Sequence, residues 1–286
     1  MGHRYTGLCN ADRERPQTRH HYWDERMFPV AYDTIFESKA AGRGRGGPRP
    51  VGQLITVVVT LYNYANFIAA TLDDVATQTH GPIELIVIDD VSQDGSVAVV
   101  QQWMNAHRDR FEIARLARNQ VNQGLAQSRN LAFSLATSEY VFVLDADNGL
   151  YPRALARLLE ALLNTGKDGA YCQLEHFGEE TAVGFADVWS RDYFRLGNYV
   201  DAMALVKTSA WAAVDGYSYM DVVGWEDYDF WCKFIAAGLE CVFVPEILCR
   251  YRVHGMSMLR IESNPKSIRL HQEMLLRHPH MNFRFE

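Results

Sequence analysis

The sequence predicts an α/β fold, with a central, mainly parallel mixed sheet flanked by helices. Two observations predict it. β-branched apolar runs alternate with stretches of helical character, the pattern of βαβ units. Two of those runs lead straight into acids, at Asp89-Asp90 and at Asp145-Ala146-Asp147. In parallel sheets ligands gather beyond the carboxyl ends of the strands. The acids therefore stand where a ligand would sit.

The elements follow in order. LITVVVTLYN, from Leu54, is a continuous run of the kind buried on both faces of a sheet. A helix is predicted over 65–78. IELIVIDDVS, from Ile83, is a second buried strand. A helix over 96–106 precedes a third strand, FEIARLA. A helix over 125–136 leads to a fourth, EYVFVLDADN, and a helix over 152–163 carries Pro152 in its first turn. The second half is less regular. It offers a mixed strand region over 170–184, a helix over 227–237, the strand CVFVPE and a terminal helix with a polar tail from Glu262. No internal repeat is visible.

Residues 1–52 differ in composition and end in the Gly/Arg/Pro-rich run GRGRGGPRP, which reads as a linker. Tyr22, Trp23, Met27, Phe28, Val30, Tyr32, Ile35 and Phe36 could dock this extension on the main domain, or it could stay loose. The division expected is an extension over 1–52, a main domain over 53–262 in halves 53–150 and 151–262, and a helix and tail over 263–286.

Composition narrows the function. At 48% hydrophobic residues, 286 residues can bury a sizeable core. A net charge of −7 without a basic stripe speaks against nucleic acid as a partner. Cys9, Cys172, Cys232, Cys241 and Cys249 are odd in number and lack CxxC spacing, so neither a disulfide framework nor a structural zinc site is expected. No apolar run has the roughly 20 residues of a spanning helix, and no secretory leader is evident. A soluble, cytoplasmic protein is expected, with peripheral attachment at the inner face of a membrane left open.

In an extended chain residues i and i+2 point the same way, so Asp145 and Asp147 can face one site. Hard cations such as Mn²⁺ or Mg²⁺ prefer such oxygens and share them with phosphates. The competing reading is a solvated turn closed by Asn148 and Gly149. Asp90 reaches the same sheet edge and can accept hydrogen bonds from a ligand. Asp94 and Ser96 read better as helix caps. Glu226, Asp227 and Asp229 open a helix, where the macrodipole favours acids in any case. Arg250 and Arg252 could serve phosphates or lie along the surface.

The segments LITVVVTLYNYANFI, DDVSQDGS, NQGLAQSRN, LDADN, GWEDYDFW and YRVHGMSM occur in that order between about 54 and 260. Together they resemble the family-2 glycosyltransferases, whose GT-A fold is a single Rossmann-like domain. The resemblance implies a nucleotide-binding half over 53–150 and an acceptor-binding half over 151–262. It implies that Thr60 and Tyr62 touch the base and ribose, and that Asp90 accepts from the base. Asn122, Gly124, Arg129 and Asn130 would lie over the nucleotide. Asp147 would be the direct ligand of a Mn²⁺ or Mg²⁺ cofactor, with His254 completing its shell. Asp145 would hold ribose or a metal-bound water. Asp227 would be the general base of an inverting transfer, with Glu226 binding sugar hydroxyls and Trp225 offering its face to a sugar ring.

The implied reaction moves a sugar from a nucleotide diphosphate, with a UDP-sugar favoured, to a hydroxyl of a glycan, a lipid-linked glycan or another glycosylated acceptor. The sequence lacks a QxxRW motif, which argues for one sugar at a time. Two rival readings remain at this point. One is an inactive relative that binds glycan or scaffolds a partner. The other is a sugar nucleotidyltransferase, against which stands LYNYANF where such enzymes carry a Gly-rich, basic loop.

Overall fold

The structure is a computed structural model that describes residues 31–39, 52–220, 223–255 and 266–284. Its strands are β1 (Tyr32–Lys39), β2 (Ile55–Leu61), β3 (Ile83–Asp89), β4 (Ile113–Asn119), β5 (Tyr140–Asp145), β6 (Gly149–Leu150), β7 (Gly169–Gly178), β8 (Ala182–Val183), β9 (Ala204–Lys207) and β10 (Cys241–Val253). Its helices are α1 (Ile68–Ala76), α2 (Ser96–Ala106), α3 (Leu125–Leu135), α4 (Ala154–Thr165), α5 (Arg191–Phe194), α6 (Thr208–Ala213), α7 (Glu226–Ala237) and α8 (Ser267–Arg277).

One sheet runs in the order β1-β4-β3-β2-β5-β9-β7-β10-β6, with β8 paired to β7. β4, β3, β2 and β5 are parallel, while β9 is antiparallel to both β5 and β7. The chain moves outward from β2 to β3 and β4, then returns to β5 on the other side of β2. That reversal opens a crevice at the ends of β2, β3 and β5, the usual ligand position in such sheets.

The continuous apolar runs have a direct cause. Val57 and Val59 of β2 join Leu85, Val87, Phe142 and Leu144 in a core with α1, α2 and α4. Val58 joins Ile86, Ile88, Val141 and Val143 in a second core with α3, α6, α7 and α8. Alternate side chains thus enter opposite cores, so the middle of each strand is apolar on both faces.

Some expectations shift. Tyr32–Lys39, placed by the sequence in the extension, forms the edge strand β1 against β4. Ile35 and Phe36 pack on the first core, so this part of the arm is docked. Tyr22, Trp23, Met27, Phe28, Val30, Cys9 and the Gly/Arg/Pro-rich run lie outside the described residues. The strand begun at CVFVPE does not stop there. It runs on to Val253, with register shifts around Pro245, where a missing N–H interrupts the ladder. The tail after α8 is not merely polar, since His278 and Met281 are buried. Among the described residues no helix is long and apolar enough to cross a membrane. Cys172 and Cys249 are free, buried and 3.4 Å apart at sulfur.

At the amino ends of the strands Glu84 is fully buried. Its carboxylate accepts from the Thr56 hydroxyl at 2.5 Å and from the Thr137 N–H at 2.8 Å. It thereby ties β2, β3 and the turn into β5. Glu84→Ala would strand these donors, and it is expected to lower the unfolding free energy by about 3 kcal/mol, measured by chemical denaturation.

Candidate active site

At the carboxyl ends of β2, β3 and β5 lies a cavity of about 1090 Å³. The acids, Arg129 and several aromatic rings line it. β5 delivers Asp145, and the following turn carries Ala146, Asp147 and Asn148, all three buried. This is not the solvated turn that acids at a strand end would also allow. It is clamped from two sides. The Thr71 hydroxyl, on α1, lies 2.9 and 2.8 Å from the carbonyls of Ala146 and Asn148. Arg252, on β10, donates from Nε to the Asp147 carbonyl at 2.8 Å, and its N–H donates to Asn148 Oδ1 at 2.9 Å. The Arg252 guanidinium also lies over the rings of Phe67 and Phe177. Gly149 follows because a Cβ there would meet Asp74 Oδ2 at 2.7 Å.

The clamp has a second effect. Two residues beyond Arg252, His254 reaches the same turn. Its Nε2 lies 2.9 Å from Asp147 Oδ2. Burial and the Asp145 charge both push the Asp147 carboxyl up, which is the state a bound cation would relieve. A carboxylate and an imidazole on a cavity wall suit Mn²⁺ or Mg²⁺ only as a partial shell, completed by substrate phosphate and water. Asp145, expected to join them, lines the same cavity and bonds Arg129. Among the described residues no group of three or more His, Cys, Asp or Glu side chains is close enough to hold a metal.

Arg129 is buried on α3 and donates from Nη2 to Asp145 Oδ1 at 2.8 Å. Burial alone would weaken its charge, yet Asp145, Tyr217 and Glu226 around it hold its proton more tightly than usual. Its neighbour Asn130 does not lie over the cavity. Asn130 is buried and bonded to the Tyr217 main chain and the Trp211 indole, so its role is to hold the fold together.

The two acids ending β3 part company, as strand alternation requires. Asp89 is enclosed, with Arg118 Nε at 3.2 Å. Asp90 faces the cavity and anchors the loop before α3. Its Oδ1 accepts from Asn119 Nδ2 and the Gln123 N–H, and its Oδ2 from the Gly124 N–H at 2.8 Å. Asn122 donates to the Asp90 carbonyl at 3.0 Å. Gly124 has φ +81°, a conformation other residues avoid. With one protein donor, Asp90 Oδ2 keeps a lone pair for a ligand. Thr60 lines the cavity with a buried hydroxyl that has no partner among the described residues. Tyr62 is half exposed at the same wall. Asp94 and Ser96, expected as caps, serve structure in another way: Gly95 holds the cap position of α2, Asp94 accepts the N–H groups of Ser96 and Ala65, and Ser96 Oγ accepts that of Tyr64.

The same cavity is lined by the start of α7, Glu226 and Asp227. Glu226 is buried and turns back to accept the Gly224 N–H at 2.8 Å. It therefore shapes the loop in this structure, although it also lines the cavity. Asp227 accepts from Asn198 Nδ2 at 2.9 Å and from the Tyr228 N–H at 2.8 Å. Burial pushes its carboxyl up; Arg129 opposes and Glu226 adds to the rise, leaving it at about 6. Trp225 lines the cavity, its ring edge-on to His271 of α8 at 4.9 Å.

The family model described as Glycosyl transferase family 2 matches residues 56–214. The chain belongs to glycosyltransferase family 2. It is 27% identical over 216 residues to an uncharacterized glycosyltransferase of Nostoc sp., a match covering 70% of this chain and 65% of the relative. It thus spans just under two thirds of that relative's length. In three dimensions it is similar to S. aureus TarS 1–349 in complex with UDP-GlcNAc, with TM-score 0.60 and 18% identity over 70% of this chain and 58% of that fragment. It is similar again to the mannosyltransferase PcManGT from Pyrobaculum calidifontis, in complex with GDP-Man and Mn²⁺, with TM-score 0.60 and 22% identity over 82% of this chain and 74% of that one. Likenesses at these identities establish the GT-A fold expected from the sequence.

Within this family-2 glycosyltransferase, the sequence reading missed Thr71, Asn198, Asp201 and the clamping role of Arg252. Asp201 lines the cavity, and burial together with Asp145 and Asp227 pushes its carboxyl up to about 7. Neither Arg250 nor Arg252 is set aside for a phosphate. Arg250 donates to Glu175 at 3.1 Å, and Arg252 holds the turn. Among the described residues that line the cavity, Arg129 is the arginine set among these acids. Arg129→Met would leave Asp145 without its partner, and it is expected to cost about 3 kcal/mol of stability, read from urea unfolding. The loss should shrink in an Arg129→Met, Asp145→Asn double variant.

Proposed function

We propose that the protein is an inverting glycosyltransferase that moves a sugar from a nucleoside-diphosphate sugar, in our reading a UDP-sugar, to a hydroxyl of a glycan, glycolipid or other glycosylated acceptor. The observation that carries this is that one cavity is lined both by the Asp147–His254 pair, 2.9 Å apart, and by Asp227 at the start of α7. Such a set suits a diphosphate leaving group and a proton acceptor acting at one sugar.

In this reading Thr60, Tyr62, Asp90, Asn122 and Gly124 hold the nucleoside, and Arg129 and Asp145 border its ribose and phosphates. A divalent ion bound by Asp147 and His254 would offset charge developing on the diphosphate. Asp227 takes the proton of the acceptor hydroxyl. The acceptor oxygen then bonds to the anomeric carbon as the carbon–phosphate-oxygen bond breaks, with the electron pair leaving on the diphosphate. Attack from the face opposite the nucleotide inverts the anomeric centre. Asn198 keeps the Asp227 carboxylate aimed, and Trp225 gives a sugar ring an apolar face. Support for a nucleotide-sugar donor comes from TarS, seen with UDP-GlcNAc, and PcManGT, seen with GDP-Man and Mn²⁺. The preference for uracil and the inversion rest on the family resemblance. The division into a nucleotide half and an acceptor half, cut near residue 150, belongs to the same reading.

Two measurements test it. Thermal unfolding is followed with UDP, GDP, dTDP and CMP, each with and without Mn²⁺. A ligand at a hundred times its Kd stabilises the native state by about 2.7 kcal/mol. UDP with Mn²⁺ is expected to raise the Tm, and Asp147→Asn to abolish the metal-dependent part. No shift with any nucleotide would sink the donor-site reading. The second measurement is turnover against pH. A carboxyl with a pKa of about 6 holds its proton below that pH and cannot accept another. The rate is therefore expected to rise with pH through about 6 and level off above it. Asp227→Asn is expected to lose roughly 10²- to 10⁴-fold in kcat, and full turnover in that variant would remove Asp227 as the base.

A further inference from the structure

Asp201 has no part in the chemistry set out above, yet it faces the same cavity. It sits on the segment joining α5 to β9, and that segment is firmly held. Val200, Ala202 and Met203 are buried around it. The Val200 carbonyl accepts the Trp231 indole N–H at 2.9 Å, and Asn198 reaches Asp227. Asp201 Oδ1 accepts the Met203 N–H at 2.8 Å. No other protein group among the described residues bonds to this carboxylate, so its second oxygen has no protein donor while the side chain lines the cavity.

Its position follows from the sheet. β9 pairs antiparallel with β5, with Leu205 opposite Phe142. The chain entering β9 therefore runs beside the chain leaving β5, which brings Asp201 alongside Asp145. Through Asn198 the same segment touches Asp227. Asp201 thus lies near Asp145 and near Asp227 in the same cavity. Its electrostatic coupling to both agrees with that placement. In the function proposed above, on which this inference rests, the transferred sugar is held among these acids.

We propose that Asp201 binds hydroxyl groups of the transferred sugar and thereby selects which sugar nucleotide is accepted. The Asp201 carboxyl offers acceptor lone pairs on both oxygens, and a proton to donate when it is protonated, so it can bridge a pair of neighbouring hydroxyls. A buried acceptor built for a hydroxyl discriminates strongly against a sugar that lacks it or presents it on the other face. The tight backbone around Asp201 supplies the fixed direction that such discrimination needs.

The test is calorimetric titration of wild type and Asp201→Asn with UDP, UDP-glucose, UDP-GlcNAc, GDP and GDP-mannose, all with Mn²⁺, alongside turnover. Asp201→Asn is expected to bind the bare nucleotide as wild type does. Its affinity for the preferred sugar nucleotide should fall by about tenfold or more, so the ranking among sugars flattens. Retained nucleotide binding also shows that the variant is folded. An equal loss for nucleotide and sugar nucleotide would overturn the proposal, as would an unchanged ranking. So would a collapse of kcat at unchanged donor affinity, which would place Asp201 in the proton transfer instead. If wild type binds none of these nucleotides, the donor-site reading and this inference fall together. If wild type binds, the Asp201→Asn result judges Asp201 alone.

Discussion

One guanidinium makes the site possible. Asp145, Asp147, Asp201, Glu226 and Asp227 all line a single cavity, and like charges so placed would neutralise or repel one another. Arg129, enclosed on α3, bonds Asp145 directly and lowers the cost of ionising Asp201, Glu226 and Asp227. The compensation is incomplete. Asp227 remains at about 6 and Asp201 at about 7. An incomplete balance is useful, because a carboxyl well below its solvent range of strength would be a poor proton acceptor.

Around that charge balance the fold holds the acids by their backbones. The turn after β5 is clamped by Thr71 and Arg252, the loop before α3 by Asp90, and the start of α7 by Glu226 and Asn198. These groups come from five different parts of the chain. Several therefore have two duties. Asp90 and Glu226 look from sequence like ligand groups. In the structure their first hydrogen bonds go to loop N–H groups, and contact with a ligand is left to the lone pairs that remain.

That division explains what was legible beforehand. Asp145, Asp147 and Asp90 could be found because a buried parallel strand announces itself and its end is a privileged place. The run VFVL before Asp145 and the run LIVI before Asp89 are local signals. Asp201 and Asn198 carry no such signal. NYVDAM has neither a period nor a spacing that points to a site, and its meaning comes from pairing between β9 and β5, more than fifty residues apart. Thr71 reads as an ordinary helix hydroxyl until the turn of β5 is set against it. β1 was hidden for a similar reason. Its residues are mostly exposed, so the alternation is faint, and only pairing with β4 some eighty residues on defines it as a strand.

The site also extends past the segment that carries the family match. That match ends at residue 214, whereas Asp227 opens α7 and His254 follows β10. α8 then braces this part. His278, just past its end, lies 2.8 Å from Asp229 on α7. Arg277 donates to the Tyr219 carbonyl at 2.6 Å, and His271 packs against Trp225. Leu270 and Met274 anchor the helix in the second core. Asp229 sits two residues beyond Asp227 on a rigid helix, so fixing one fixes the axis along which the other is presented. The strands supply Asp145 and, in the turn that follows, Asp147. The placing of Asp227 in the same cavity depends on the packing of α7 against a C-terminal helix whose apolar pattern alone gives no hint of that task.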